Sequence, residues 1–146
     1  MNHENNHAEH EDIVPRLIAW EVTRSCPLAC RHCRAAARHE PYEGELSTDE
    51  CRRVLDGIAA FARPTIILTG GEPMLREDIY ELASYADGLG LPVVMAPCGK
   101  MVDEKAARRM KRAGKRSSAL SIDGATAEAH HAFRGGARSS PTASRT

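Results

Sequence analysis

The sequence contains no apolar run that approaches the ~18 residues of a membrane span. Its first twelve residues, MNHENNHAEHED, lack the basic and apolar regions of a secretory signal. The formal net charge is zero, from 20 basic and 20 acidic side chains, and no basic stripe is present. These absences predict a cytoplasmic protein with neither a nucleic-acid partner nor a membrane partner held by charge.

Aromatic residues are scarce at 4%, and the five cysteines are an odd count for a disulfide framework. Three of these cysteines fall within eight residues, a pattern that favours metal binding in a reducing compartment. The chain has 146 residues, of which 42% are hydrophobic, and this suits one domain with one modest core.

The chain divides into three parts. Residues 1–14 are predicted to be a disordered polar tail, with metal binding by His3, His7 and His10 as a weaker alternative. Residues 15–135 carry the pattern of a folded domain. Residues 136–146 contain no apolar side chain larger than alanine, so we expect a second disordered tail there.

Short apolar runs alternate with amphipathic stretches between residues 15 and 135, which predicts an α/β fold with about four βα units around a parallel sheet. Eight such units take ~250 residues in a complete barrel, so the fold class is a partial (β/α) barrel. The predicted strands are Leu17–Val22, Thr65–Thr69, Pro92–Ala96 and Ala119–Ile122.

Helix-capping signals precede three of the four amphipathic stretches. Ser47 and Glu50 form a capping box, and the following helix gives Cys51 an apolar position, so we expect Cys51 to be buried in the core. The other helices are predicted to run from Ile79 to a stop at Gly90, from an Asp103 cap to Gly114, and from a Thr126 cap with Ala129 and Phe133 as its apolar contacts.

Cys26, Cys30 and Cys33 form a Cx3Cx2C pattern in the loop after the first predicted strand, at the face where α/β barrels carry their active sites. Three thiolates suit a 4Fe–4S cluster in which one iron keeps an open coordination position. A structural zinc site is the alternative, but it needs a fourth ligand, and His32 lies awkwardly between two of the cysteines. Inert thiols are a further alternative.

Gly70, Gly71, Glu72 and Pro73 follow the second strand, where glycines let the backbone approach a ligand closely. Taken alone, this segment is a turn. Together with the cysteines it resembles the radical S-adenosylmethionine (SAM) superfamily. That resemblance implies a 4Fe–4S cluster on the three cysteines, with His32 at the ring-bearing position. It also implies that the GGEP segment holds the methionine part of SAM, which the reduced cluster cleaves to a 5′-deoxyadenosyl radical.

The resemblance covers roughly Pro15 to Gly135 and assigns further positions. Ser121 and Asp123 match residues that contact the carboxylate and ribose of SAM, although Asp123 and Gly124 also read as a simple turn. Cys98 stands where many relatives have asparagine, and we expect a buried small thiol rather than one facing the site. No side chain is predicted to act as a catalytic acid, base or nucleophile.

Within the superfamily, PRLIAWEVTRSC and MAPCG most resemble the proteins of heme and heme d1 synthesis. The resemblance implies a tetrapyrrole or, alternatively, a peptide substrate, and a reductant such as ferredoxin or flavodoxin. It stops near Gly135, so we expect a truncated or frameshifted N-terminal fragment of the radical SAM core. A non-catalytic fragment that only binds the cluster is therefore a second hypothesis.

Overall fold

The computed structural model describes residues 14–40, 42–113 and 117–135. The predictions for residues 1–13, including the three histidines, and for the tail at 136–146 lie outside the described residues. Within the described part of the chain, no helix combines the length and apolar character that crossing a membrane requires.

Within the described residues, four strands form one parallel sheet in the order β1-β2-β3-β4. The strands are β1 (Leu17–Thr23), β2 (Thr65–Gly70), β3 (Val93–Met95) and β4 (Ser117–Ser118). The α/β fold with about four βα units is confirmed, and the first three predicted strands are found within two residues of their expected ends.

In the part of the chain that the structure describes, four α-helices connect or follow the strands: α1 (Thr48–Phe61), α2 (Ile79–Gly88), α3 (Glu104–Arg112) and α4 (Ala127–Phe133). The capping box is confirmed, because the Ser47 amide donates to Glu50 Oε2 at 2.8 Å and the Glu50 amide donates to Ser47 Oγ at 3.4 Å. Cys51 is buried as expected, and its thiol donates to the Leu46 carbonyl.

The core lies between the sheet and its helices. Ile66 and Leu68 on β2 are fully buried against Leu55 of α1 and Ile79 of α2. Ile67 points to the other face and is half-buried, as the two-residue period of a strand requires. Burying one such aliphatic side chain stabilises the fold by about 1.5–3 kcal/mol.

The prediction of a fourth strand at Ala119–Ile122 is wrong. The strand is two residues earlier, where Val94 pairs with Ser117 and Met95 with Ser118. The prediction took Leu120 and Ile122 as buried strand residues, but their side chains are 39% and 62% exposed.

The contacts predicted for α4 are also partly wrong. The helix is capped by Thr126 as expected, but none of its residues is buried. Ala129 is exposed, and Phe133 stacks on His32 instead of entering the core.

Candidate functional site

The three clustered cysteines lie in the loop that leaves β1. Cys26 is buried, Cys30 is half-buried and Cys33 is exposed, and all three are free thiols. Cys26 is fixed by its amide, which donates to the Arg38 carbonyl at 2.9 Å, and the Cys33 amide donates to the Cys30 carbonyl at 3.1 Å. All three side chains line one cavity of about 210 Å³.

Gly70, the last residue of β2, and Gly71, which follows it, lie directly against this loop. The Gly71 amide donates to the Thr23 carbonyl and the Glu72 amide to the Ser25 carbonyl, both at 2.8 Å. A Cβ on Gly70 would lie 2.0 Å from the Thr23 oxygen, and one on Gly71 would lie 2.2 Å from the Ser25 oxygen. Gly70 also has φ +125°. Only glycine fits this close approach, which brings the GGEP backbone to the cysteine cavity.

Glu72 and Pro73 are buried and do not line the cavity. The Glu72 carboxylate accepts from the Met74 amide at 2.9 Å and from the Cys98 amide at 2.7 Å. It therefore joins the segment after β2 to the segment after β3. Pro73 begins a short 3-10 turn, Pro73–Leu75.

Cys98 lines the cavity, so the expectation of a buried packing thiol is wrong. Its thiol donates a hydrogen bond to the Cys26 sulfur, and this lowers the pKa of Cys26 to about 7 although burial raises it. The same hydrogen bond, together with burial, raises the pKa of Cys98. Burial also raises the pKa of the Cys30 thiol.

A buried cation completes the cavity wall. Arg134 is only 5% exposed and directs Nε to Asp123 Oδ2 at 2.6 Å. Its other nitrogens donate to the carbonyls of Ser121 at 3.3 Å and Cys98 at 3.4 Å. Its charge lowers the pKa of both Cys26 and Cys30, although other causes act on these thiols more strongly.

The structure thus brings seven of the predicted site residues to one cavity: Cys26, Cys30, His32, Cys33, Gly70, Gly71 and Ser121. Glu72 and Asp123 do not line the cavity but bond to the wall residues Cys98 and Arg134, and Pro73 is buried outside the cavity lining. Sequence reasoning missed Arg134 and the position of Cys98. One local pattern could have indicated Arg134. It directly follows Phe133, the last apolar residue of α4, and comes eleven residues after Asp123, with which it pairs.

The model of the Radical SAM superfamily matches residues 20–142, which is most of the chain. This chain belongs to the radical SAM superfamily. A 4Fe–4S cluster and SAM, which the sequence leads us to expect, are the cofactors of this superfamily.

Curated relatives of this radical SAM chain are similar over the same region. The AdoMet-dependent heme synthase of Nitratidesulfovibrio vulgaris is 53% identical over 120 residues, which are 82% of this chain and 33% of the relative. The mycofactocin maturase MftC of Mycobacterium tuberculosis is 34% identical over 123 residues, which are 84% of this chain and 31% of the relative. The chain thus spans about a third of the length of these relatives.

Solved structures share the fold. Streptococcus suis SuiB bound to S-adenosylmethionine aligns with a TM-score of 0.69 at 15% identity, covering 82% of this chain and 28% of SuiB. At this identity the likeness shows the architecture alone.

Proposed function

We propose that this chain holds a 4Fe–4S cluster on Cys26, Cys30 and Cys33 and cleaves SAM reductively in the service of heme synthesis. The observation that carries the proposal is the shared cavity, in which the three cysteines face the backbone of Gly70 and Gly71. Three cysteine ligands leave one iron of the cluster open, and this is the position that SAM requires.

The donor set fits the cluster. Each of the three thiols is free, and each of the three residues lines the cavity. Ligation requires thiolates, and the buried guanidinium of Arg134, which lines the same cavity, supplies positive charge suited to them. When bound and reduced, the cluster supplies the electron that splits SAM into methionine and a 5′-deoxyadenosyl radical.

The residues of the chain would orient SAM. Gly70 and Gly71 present backbone groups at the cavity because neither carries a side chain. Ser121 also lines the cavity, and Arg134 supplies positive charge suited to a carboxylate. Glu72 and Asp123 act indirectly, because each one holds a neighbouring residue of the wall in place.

The choice of heme synthesis rests on relatedness. The heme synthase is 53% identical to this chain and the peptide maturase 34% over a similar region. We therefore expect a tetrapyrrole substrate such as iron coproporphyrin. Each propionate would become a vinyl group by giving one hydrogen atom to the 5′-deoxyadenosyl radical and then losing carbon dioxide and one electron, which an electron acceptor takes up. A small electron carrier such as ferredoxin or flavodoxin would reduce the cluster. A peptide substrate is the alternative.

Cys98 makes a competing site testable, because it adds a fourth sulfur to the cavity wall. A site with four cysteine ligands would hold zinc, or a cluster with no open iron. We expect the Cys98→Ala variant to take up as much iron and sulfide as the wild type. Loss of metal in that variant would contradict the three-cysteine assignment.

The experiment is anaerobic reconstitution with iron and sulfide, followed by chemical reduction and addition of SAM. We expect 5′-deoxyadenosine from the wild type and none from a variant in which Cys26, Cys30 and Cys33 are alanine. One arm adds iron coproporphyrin and another adds a peptide. We expect release of carbon dioxide in the porphyrin arm and an unchanged peptide in the other arm. A loaded protein that releases no 5′-deoxyadenosine would refute the proposed activity for this chain.

A further inference from the structure

The end of α4 contacts the cysteine loop at three points. The rings of Phe133 and His32 stack with centroids 4.7 Å apart and an interplanar angle of 23°. The Arg31 amide donates to the Phe133 carbonyl at 3.1 Å. Gly135 lies so close to Ala29 that a Cβ would be 2.2 Å from the Ala29 oxygen.

These contacts are not a consequence of core packing. None of the residues of α4 is buried, and Phe133 is 39% exposed. His32 and Cys33 are exposed as well. The stacked pair therefore lies at the surface, beside the cavity, where burial of apolar area explains little of its geometry.

The loop is otherwise held between Cys30 and Cys33 by short local hydrogen bonds. The Cys33 amide donates to the Cys30 carbonyl, the Ala36 amide donates to the Cys33 carbonyl, and the Ala37 amide donates to the Cys33 sulfur at 3.4 Å. These bonds lie within the turn, so they do not fix its position relative to the rest of the cavity wall. The contacts of Phe133 come from a different element, so they fix the turn relative to the rest of the cavity wall.

We propose that Phe133 is a positioning residue for the cluster loop: its ring orients His32 and its carbonyl orients Arg31, so that Cys30 and Cys33 are arranged before the cofactor binds. This inference rests on the proposed function, because it assumes that the loop holds the cluster. Preorganised ligands lose less freedom on binding, so the cluster should be retained more strongly when the stack is present.

The stack itself can be tested without any cofactor. A phenyl ring stacked on His32 shifts the proton resonances of His32 upfield in the nuclear magnetic resonance spectrum of the metal-free chain. The chain has seven histidines, and a His32→Gln variant identifies which resonances belong to His32. We expect the upfield shift in the wild type and in Phe133→Tyr, and its loss in Phe133→Leu. The matched control is Phe61→Leu, because the only other phenylalanine is 63% exposed at the end of α1.

The consequence for the cluster is tested on the same variants after anaerobic reconstitution. We expect iron to be lost to a chelator about twofold to tenfold faster from Phe133→Leu than from wild type, as the strength of an aromatic pair implies. Phe133→Tyr and Phe61→Leu should match the wild type. Melting curves of all variants check that the fold is intact, and a peripheral helix with no buried residue makes unfolding unexpected.

The outcomes separate this inference from the proposed function. Identical His32 resonances in wild type and Phe133→Leu, or equal rates of iron loss, would overturn the inference and leave the proposed function standing. A wild-type chain that shows the upfield shift but takes up no iron and sulfide would overturn the proposed function, and the positioning role with it.

Discussion

The buried carboxylate of Glu72 leads to a quantitative prediction about the stability of the site. Glu72 is fully buried, and its two oxygens accept from the amides of Met74 at 2.9 Å and Cys98 at 2.7 Å. A Glu72→Ala substitution leaves both amides without their acceptor. A buried donor left unsatisfied costs about 1–3 kcal/mol, so the loss is about 2–6 kcal/mol in the free energy of unfolding.

The Glu72→Gln variant tests whether the lost hydrogen-bond acceptors, rather than the lost side-chain volume, cause the destabilisation. The side-chain amide keeps one oxygen acceptor but replaces the other with a donor, so one backbone amide remains satisfied. We expect about half of the destabilisation of Glu72→Ala, or about 1–3 kcal/mol. The control is Glu77→Gln, an exposed glutamate in the next turn, which should change stability by less than about 0.5 kcal/mol.

The assay is urea denaturation of the metal-free chain, followed by circular dichroism. The expected order of midpoints is wild type and Glu77→Gln highest, Glu72→Gln intermediate and Glu72→Ala lowest. A Glu72→Ala variant within about 0.5 kcal/mol of wild type would refute the reasoning, because it would mean that the two amides have no need of the carboxylate.

Two further predictions concern the glycine contact and a buried ion pair. A Gly71→Ala variant should lose the folded site, because its Cβ would lie 2.2 Å from the Ser25 oxygen. Gly57→Ala, in open space inside α1, should instead stabilise by about 0.5–1 kcal/mol; similar melting temperatures for the two variants would contradict this account. Burial raises the pKa of Asp78, but hydrogen bonds from Arg76 and the charge of that residue, 2.6 Å away, lower it. The net pKa of Asp78 lies below its ordinary value. This pair therefore adds stability above the unfolded pKa of about 3.9 that is lost as pH falls through the folded value, so urea midpoints should fall more steeply on acidification in wild type than in Asp78→Asn. Parallel curves would count against the ion pair.

The sequence predicts well the strands whose side chains are buried and the helices that begin with a capping signal. The β2 pattern and the capping box of α1 were read from residues that do pack or cap as their chemistry demands. β4 could not be placed in the same way, because Ser117 and Ser118 join the sheet through backbone pairing and carry no apolar signal.

The candidate site was predictable only where spacing along the chain carries the information. Cys26, Cys30 and Cys33 are close together in sequence, and the glycines at the end of β2 indicate a close approach of the backbone. Arg134 and Cys98 lie far apart in sequence and become neighbours only when the sheet aligns the ends of its strands. Their roles depend on tertiary contacts, which no local pattern contains.

The most direct test of the central claim is the electron paramagnetic resonance spectrum of the reconstituted, reduced chain, recorded with and without SAM. We predict the signal of a reduced 4Fe–4S cluster that changes when SAM binds its open iron, and no such signal from the variant with Cys26, Cys30 and Cys33 replaced by alanine. A cluster signal that SAM leaves unchanged, or one that survives in the triple variant, would contradict the account.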